Sequence, residues 1–63
     1  MMVVRYGDLK MGDYFTCEQV NGSDIFIKTG YKTCGASILS GILITFNNRE
    51  IVKKVLGPIK ILT

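Results

Sequence analysis

The segment at residues 38–46 constrains the fold of this chain more than any other stretch. Six of its nine side chains are apolar, and only Ser40, Gly41 and Thr45 interrupt them. A strand that covers a core with one face and meets water with the other alternates apolar with polar residues, whereas this segment is apolar on both faces. Because a chain of 63 residues has little protein left to cover a second face, we expect a partner subunit or a bound ligand there.

The length indicates a single domain, residues 1–63, with a small core. A domain of about 60 residues buries only about 60% of its unfolded surface, and folds of this size usually add a disulfide, a metal or a second subunit. The chain has no histidine and no closely spaced cysteine pair, so we expect no metal. Pairing of Cys17 with Cys34 stays open and requires an oxidising compartment. Homo-oligomerisation, as a dimer or higher, is the expected source of added stability.

The ends and charges of the chain bear on its location and partners. Residues 1–4 lead directly into Arg5 and Gly7, which is unlike a signal peptide, and no apolar run reaches the roughly 18 residues of a membrane span. We therefore expect a cytoplasmic protein with no membrane partner. A net charge of +3 favours anionic partners. The basic residues are scattered, unlike the stripe of a typical duplex-binding protein, so nucleic acid is a possible partner only.

Short β-branched segments separated by turn residues predict an all-β fold, a small SH3-like barrel of five or six short antiparallel strands. Residues 8–13 form a predicted turn with Leu9 pointing inward and Gly12 at positive φ. The Asn21-Gly22 pair predicts a hairpin turn. A helix over residues 49–56 is the alternative to a strand there. The segments predicted to be extended are residues 2–6, 14–20, 25–28, 36–39, 42–46, 51–56 and 59–62.

A resemblance to a protein family starts from residues 8–15, which read DLKMGDYF. They are similar to the DLKxGDxF opening of many very small phage-encoded proteins with SH3-like barrels. Residues 26–28, 39–41 and 55–59 resemble the Y/F-I-K, L-S/T-G and V-x-P-V segments that follow in those proteins, although Gly57 lengthens the last turn. The resemblance implies a homo-oligomeric anti-defence sponge of the infected bacterial host, which sequesters a nucleotide immune signal such as a cyclic nucleotide or an ADP-ribose derivative.

The residue types argue against an enzyme. Histidine is absent, and the five acidic residues lie mostly in predicted turns, where they bond their own backbone or water. Cys17 and Cys34 have no neighbouring base that would make either a nucleophile. We expect no catalytic residue and no cofactor.

Two polar segments are the candidate ligand-binding residues. The first combines lysines, hydroxyls, glycine and an aromatic ring, which suit an anion such as a phosphate group. The second is a turn that carries an arginine, the residue preferred for bidentate recognition of phosphate. A plain solvated loop and a plain tight turn are the alternatives. The candidate residues are Lys28, Thr29, Gly30, Tyr31, Lys32, Thr33, Asn48 and Arg49.

Three functions fit these features. The first is a homo-oligomeric sponge, with an anionic nucleotide-type small molecule held near the subunit boundary. The second is a nucleic-acid-binding barrel that stacks bases on Tyr14, Phe26 and Tyr31. The third is a protein–protein inhibitor module that uses its exposed apolar face.

Overall fold

The computed structural model of this chain describes residues 2–30 and 33–56. These residues form one sheet whose strands are β1 Met2–Arg5, β2 Tyr14–Cys17, β3 Gly22–Lys28, β4 Cys34–Ser37, β5 Leu43–Thr45 and β6 Ile51–Lys54. A 3₁₀ turn, Tyr6–Asp8, follows β1, and a four-residue helix, α1 Glu18–Asn21, joins β2 to β3. The all-β prediction is confirmed.

The strand order in the sheet is β1-β6-β2-β3-β4-β5, and every neighbouring pair is antiparallel. Residues 51–54 form a strand, so the sequence-based choice of strand over helix is confirmed there. β1 and β5 lie at opposite ends of the sheet and do not pair with each other in the part of the chain that is described. The sheet is therefore not closed there into the predicted barrel.

The core lies on one face of the sheet and is dominated by aromatic rings. Tyr6 stacks on Phe46 with ring centroids 5.1 Å apart, and Phe15 meets both rings edge-on at 5.3 and 5.1 Å. Phe26 stacks on Phe15 at 5.7 Å. At Gly35 in β4, a Cβ would lie 2.8 Å from both Phe15 and Phe46. Only glycine fits there, because the rings pack directly against the backbone of β4.

The turn predicted at residues 8–13 is present. Leu9 is buried in the core, and Gly12 has a φ of 92°. The Asp13 carboxylate accepts a hydrogen bond from the Lys10 amide at 2.8 Å, and the Asp13 amide donates to the Lys10 carbonyl at 3.0 Å. Gly12 supplies the left-handed backbone that this reversal requires.

The hairpin turn predicted at Asn21-Gly22 is wrong. β2 ends at Cys17, α1 spans Glu18–Asn21 and β3 already begins at Gly22. Pairing of Thr16 with Lys53 brings Glu18 to the Lys53 ammonium, and the two side chains form an ion pair. Both side chains are exposed, so this ion pair contributes little stability, and no described contact explains why α1 replaces the turn that Asn-Gly favours.

Other boundaries also differ from the prediction: β1, β5 and β6 are each one or two residues shorter, and β4 is shifted toward the N-terminus. Cys34 and Gly35 precede the predicted strand at residues 36–39 but belong to β4, which ends at Ser37 instead of continuing to residue 39. The Ser37 hydroxyl accepts hydrogen bonds from the amides of Leu39 and Ser40, at 3.3 and 3.2 Å, so it closes the turn two residues early. The strand predicted at residues 59–62 lies outside the described residues.

Candidate functional site

The sheet has a second face, opposite the core, and that face is largely apolar. Because side chains alternate along each strand, the strand register assigns every residue to one face or the other. The second face carries Val3, Arg5, Tyr14, Thr16, Ile25, Ile27, Cys34, Ala36, Leu43, Thr45, Ile51 and Lys53. Its apolar content agrees with the expectation that this short chain has more apolar strand surface than one core uses.

The largest exposed apolar side chains of the hairpin between β4 and β5 are Leu39, Ile42 and Leu43. Their exposed fractions are 79%, 62% and 56%. We call these three residues the hairpin patch. They belong to the segment whose composition predicts an uncovered apolar surface, and Phe46 at its end is buried in the core. The core and the hairpin patch therefore share the segment at residues 38–46.

The backbone of β5 has one side bonded to β4 and one side without a hydrogen-bonded strand among the described residues. The Ser37 amide donates to the Ile42 carbonyl at 3.0 Å, and the Phe46 amide donates to the Thr33 carbonyl at 2.8 Å. In an antiparallel pair, alternate residues point their amide and carbonyl toward the neighbouring strand. The amides and carbonyls of Leu43 and Thr45 therefore point away from β4. We call this row of groups the free β5 edge.

Lys28, the first candidate ligand residue, directs its ammonium into the protein. Its Nζ donates to the Leu9 carbonyl at 2.7 Å and to the Tyr6 carbonyl at 3.3 Å, and lies 4.7 Å from the centre of the Tyr6 ring. These contacts hold the segment after β1 against β3. Lys28 therefore has a structural role, and two of its three N–H donors are already used.

The other described residues of the loop between β3 and β4 are also tied to the fold. The Thr29 hydroxyl donates to the Cys34 carbonyl at 2.9 Å. Gly30 lies so close to Met11 that a Cβ would collide with its sulfur. The Thr33 carbonyl accepts a hydrogen bond from the Phe46 amide. Tyr31 and Lys32 lie outside the described residues.

Asn48 and Arg49 lie in the predicted turn before β6, which is present. The Asn48 carbonyl accepts a hydrogen bond from the Gly7 amide at 2.9 Å, and the Arg49 amide donates one to the Asn47 side-chain oxygen at 2.9 Å. Arg49 is exposed, and its guanidinium forms no ion pair with any described residue. The 3₁₀ turn contacts Asn48 through Gly7 and Lys28 through Tyr6, so it connects the two candidate segments.

A shallow groove of about 160 Å³ on the second face was not predicted from the sequence. Glu18 and Lys53 pair across it, and that pairing lowers the pKa of the Glu18 carboxyl. These residues are distant in sequence and meet only because of the register of β2 against β6, which no local pattern reveals. The groove is lined by Val3, Thr16, Glu18, Gln19, Ile51, Val52 and Lys53.

Both cysteines are free thiols. The Cys17 thiol is buried and donates to the Glu50 carboxylate at 3.0 Å. Burial is the main cause that raises the pKa of this thiol, and the hydrogen bond to Glu50 raises it further. A thiol that stays protonated is a poor nucleophile. No group of potential metal ligands occurs among the residues that the structure describes.

One of the rings proposed to stack on nucleic-acid bases is inaccessible. Phe26 is buried in the core, so its predicted role as a stacking surface is wrong. Tyr14 is half-buried on the second face, and Tyr31 lies outside the described residues.

No family model, curated protein or solved structure matches the chain significantly. Within the described ranges, no helix has the length and apolar character needed to cross a membrane.

Proposed function

We propose that this protein is a non-enzymatic binding protein that works as a homo-oligomer. The observation that supports this proposal is the exposure of the hairpin patch beside a core that is already filled by aromatic rings. Burying exposed apolar area of this kind is the main driving force of association. In the proposed homo-oligomer, a second copy covers this patch, which the described part of the chain leaves exposed.

The ligand in this proposal is an anionic, nucleotide-derived small molecule, sequestered near the subunit boundary. Arg49 is its best-supported contact, because its guanidinium is exposed and has no ion pair within the described chain. A free guanidinium binds a phosphate group through two parallel hydrogen bonds. Asn48 lies beside it in the turn. Sequestration needs only preorganised donors, which suits a chain without histidine.

The resemblance to phage SH3-like sponges supplies the nucleotide class and the closed barrel in this proposal. A nucleic-acid-binding barrel ranks lower, because Phe26 is buried and the lysines of β6 are paired with Glu18 and Asp13.

Two measurements test the proposal. Nucleotides released by denaturing the purified protein are identified by mass spectrometry, and calorimetry follows titration with a cyclic dinucleotide and with ADP-ribose. We expect binding that weakens about tenfold in Arg49→Ala, the effect of losing a charge-assisted hydrogen bond. Lys10→Ala, which removes another exposed cation, serves as the control and leaves affinity unchanged. A monomeric protein with neither bound nucleotide nor measurable affinity would contradict the proposal.

A further inference from the structure

We infer that the free β5 edge pairs with the β5 edge of a second copy, antiparallel and about a two-fold axis. This inference rests on the self-association in the proposed function and identifies the surface that mediates it. The resulting assembly is a dimer in which the two sheets join into one.

The hydrogen-bonding groups needed for this pairing are already in place. Leu43 and Thr45 each present an amide donor and a carbonyl acceptor away from β4. With Ile44 on the two-fold axis, Leu43 of one copy lies opposite Thr45 of the other, and each pair exchanges both of its hydrogen bonds. Addition of a strand to an open edge in this way is a common mode of recognition between chains.

The apolar side chains beside this edge supply the area that strand pairing alone lacks. Leu39, Ile42 and Leu43 are all more than half exposed, and the turn and strand that carry them flank the free β5 edge. A copy of β5 placed on that edge lies against these side chains. Backbone pairing and burial of the hairpin patch therefore act at the same place.

Charge distinguishes this edge from the opposite one. Residues 38–46 carry no charge, although the chain has a net charge of +3. In a two-fold contact each surface meets its own copy, so a charge near the axis meets a like charge. At the β1 edge, the Tyr6 amide donates to the Glu50 carbonyl, so Tyr6 is a position that bonds toward β6. Because such positions alternate along an antiparallel strand, the amides and carbonyls of Val3 and Arg5 point away from β6. Pairing of two β1 strands would bring two arginines together, and pairing of two β5 strands brings together none.

β5 also lacks the lysine, proline or bulge that would keep an edge strand unpaired. Natural edge strands are protected by lysine, proline, a bulge or a covering segment. β5 has neither lysine nor proline, and its register with β4 is regular over residues 43–45.

A matched pair of variants locates the contact. Leu43→Lys places a charge at the free β5 edge, and Ile51→Lys makes the same change on β6, an interior strand. The two residues are 56% and 54% exposed, so neither substitution buries a charge in the isolated chain. Sedimentation equilibrium is expected to show a dimer for the unaltered chain and for Ile51→Lys. For Leu43→Lys we expect at least about tenfold weaker association. Circular dichroism of each variant checks that it is folded.

Amide hydrogen exchange measured by NMR provides a second, variant-free test. In the dimer, the amides of Leu43 and Thr45 become protected as protein concentration rises, whereas those of Val3 and Arg5 at the other edge exchange quickly at every concentration. A dimer that dissociates in Ile51→Lys but not in Leu43→Lys would overturn edge pairing and leave the homo-oligomer intact. Protection at both edges, with masses above a dimer, would indicate head-to-tail association instead. A monomer at all concentrations would overturn both proposals.

Discussion

The aromatic core and the hairpin patch consist of the same class of large apolar side chain, yet one is buried and the other is exposed. Phe46 is 1% exposed, and Leu43, three residues earlier, is 56% exposed. Phe46 meets Tyr6, Phe15 and Phe26, which come from three other parts of the chain. No described element covers Leu43. Position in the sheet, and not hydrophobicity alone, therefore decides which residues this small chain buries.

The largest effect is expected from Phe46→Ala. Removal of a buried aromatic ring costs about 3–5 kcal/mol, because the neighbouring rings lose contacts and a cavity is left. This amount approaches the whole stability of a small domain. Urea unfolding followed by circular dichroism should show a largely unfolded chain. A variant that unfolds at the same urea concentration as the unaltered protein would show that the core is not where the structure puts it.

Gly35→Ala adds a single methyl group at the centre of the core. The new Cβ would lie 2.8 Å from Phe15 and Phe46, which is too close without movement of the rings. Overpacking of this kind costs about 1–3 kcal/mol. Ala36→Ser, one residue later on the second face, is the matched control and should alter the urea midpoint little. Equal midpoints for the two variants would contradict the close packing of β4 on the rings.

Lys28→Met tests whether this lysine supports the fold or binds a ligand. The substitution removes the donor to the Tyr6 and Leu9 carbonyls, and an unsatisfied carbonyl costs about 1–3 kcal/mol. We expect a lower urea midpoint and unchanged nucleotide affinity of the folded chain, with Lys10→Met as the control for charge. Weaker nucleotide affinity with an unchanged urea midpoint would show that Lys28 binds the ligand and does not support the fold.

The pH dependence of stability follows from the buried Cys17 thiol. Its pKa in the folded chain is raised above the ordinary value of 9.0 by burial and by Glu50. Burial also raises the pKa of the Tyr6 hydroxyl. Stability from these groups is complete below pH 9 and is lost as pH rises toward their folded-state pKa values. Urea midpoints from pH 7 to 10.5 should fall at the alkaline end, with a shallower fall in Cys17→Ala. A midpoint that rises with pH would contradict this sign.

The smallest effect on the isolated chain is expected from Leu39→Ala. Its side chain is 79% exposed, so truncation should change the free energy of unfolding by less than about 0.5 kcal/mol. The measurement is made at a protein concentration below that at which the chain associates. A loss comparable to that of Phe46→Ala would mean that the hairpin patch is covered within one chain.

Local sequence patterns predicted the parts of the fold that depend on neighbouring residues. Gly12 and Asp13 identify a turn because its backbone conformation and hydrogen bonds lie within six residues. The β-branched residues of β6 likewise indicated a strand. Asn21-Gly22 misled because the preference of the pair for a tight turn does not determine where the strands begin, and β3 already starts at Gly22.

The candidate site shows the same limit. A lysine beside threonine and glycine is typical of an anion-binding loop, and nothing local reveals that Lys28 turns toward carbonyls of the segment after β1. The groove beside Ile51 depends on the order of the strands in the sheet, which no local sequence pattern predicts. By contrast, the composition of residues 38–46 correctly indicated exposed apolar side chains, because the core on one face of the sheet does not bury all of them.

The mass of the protein in solution tests the central claim most directly. Sedimentation equilibrium over a concentration series should give twice the chain mass of 7.0 kDa at the higher concentrations, with a shift toward the single-chain mass in Leu43→Lys. A mass of 7.0 kDa at every concentration would contradict the claim that this chain covers its exposed apolar strands with a second copy.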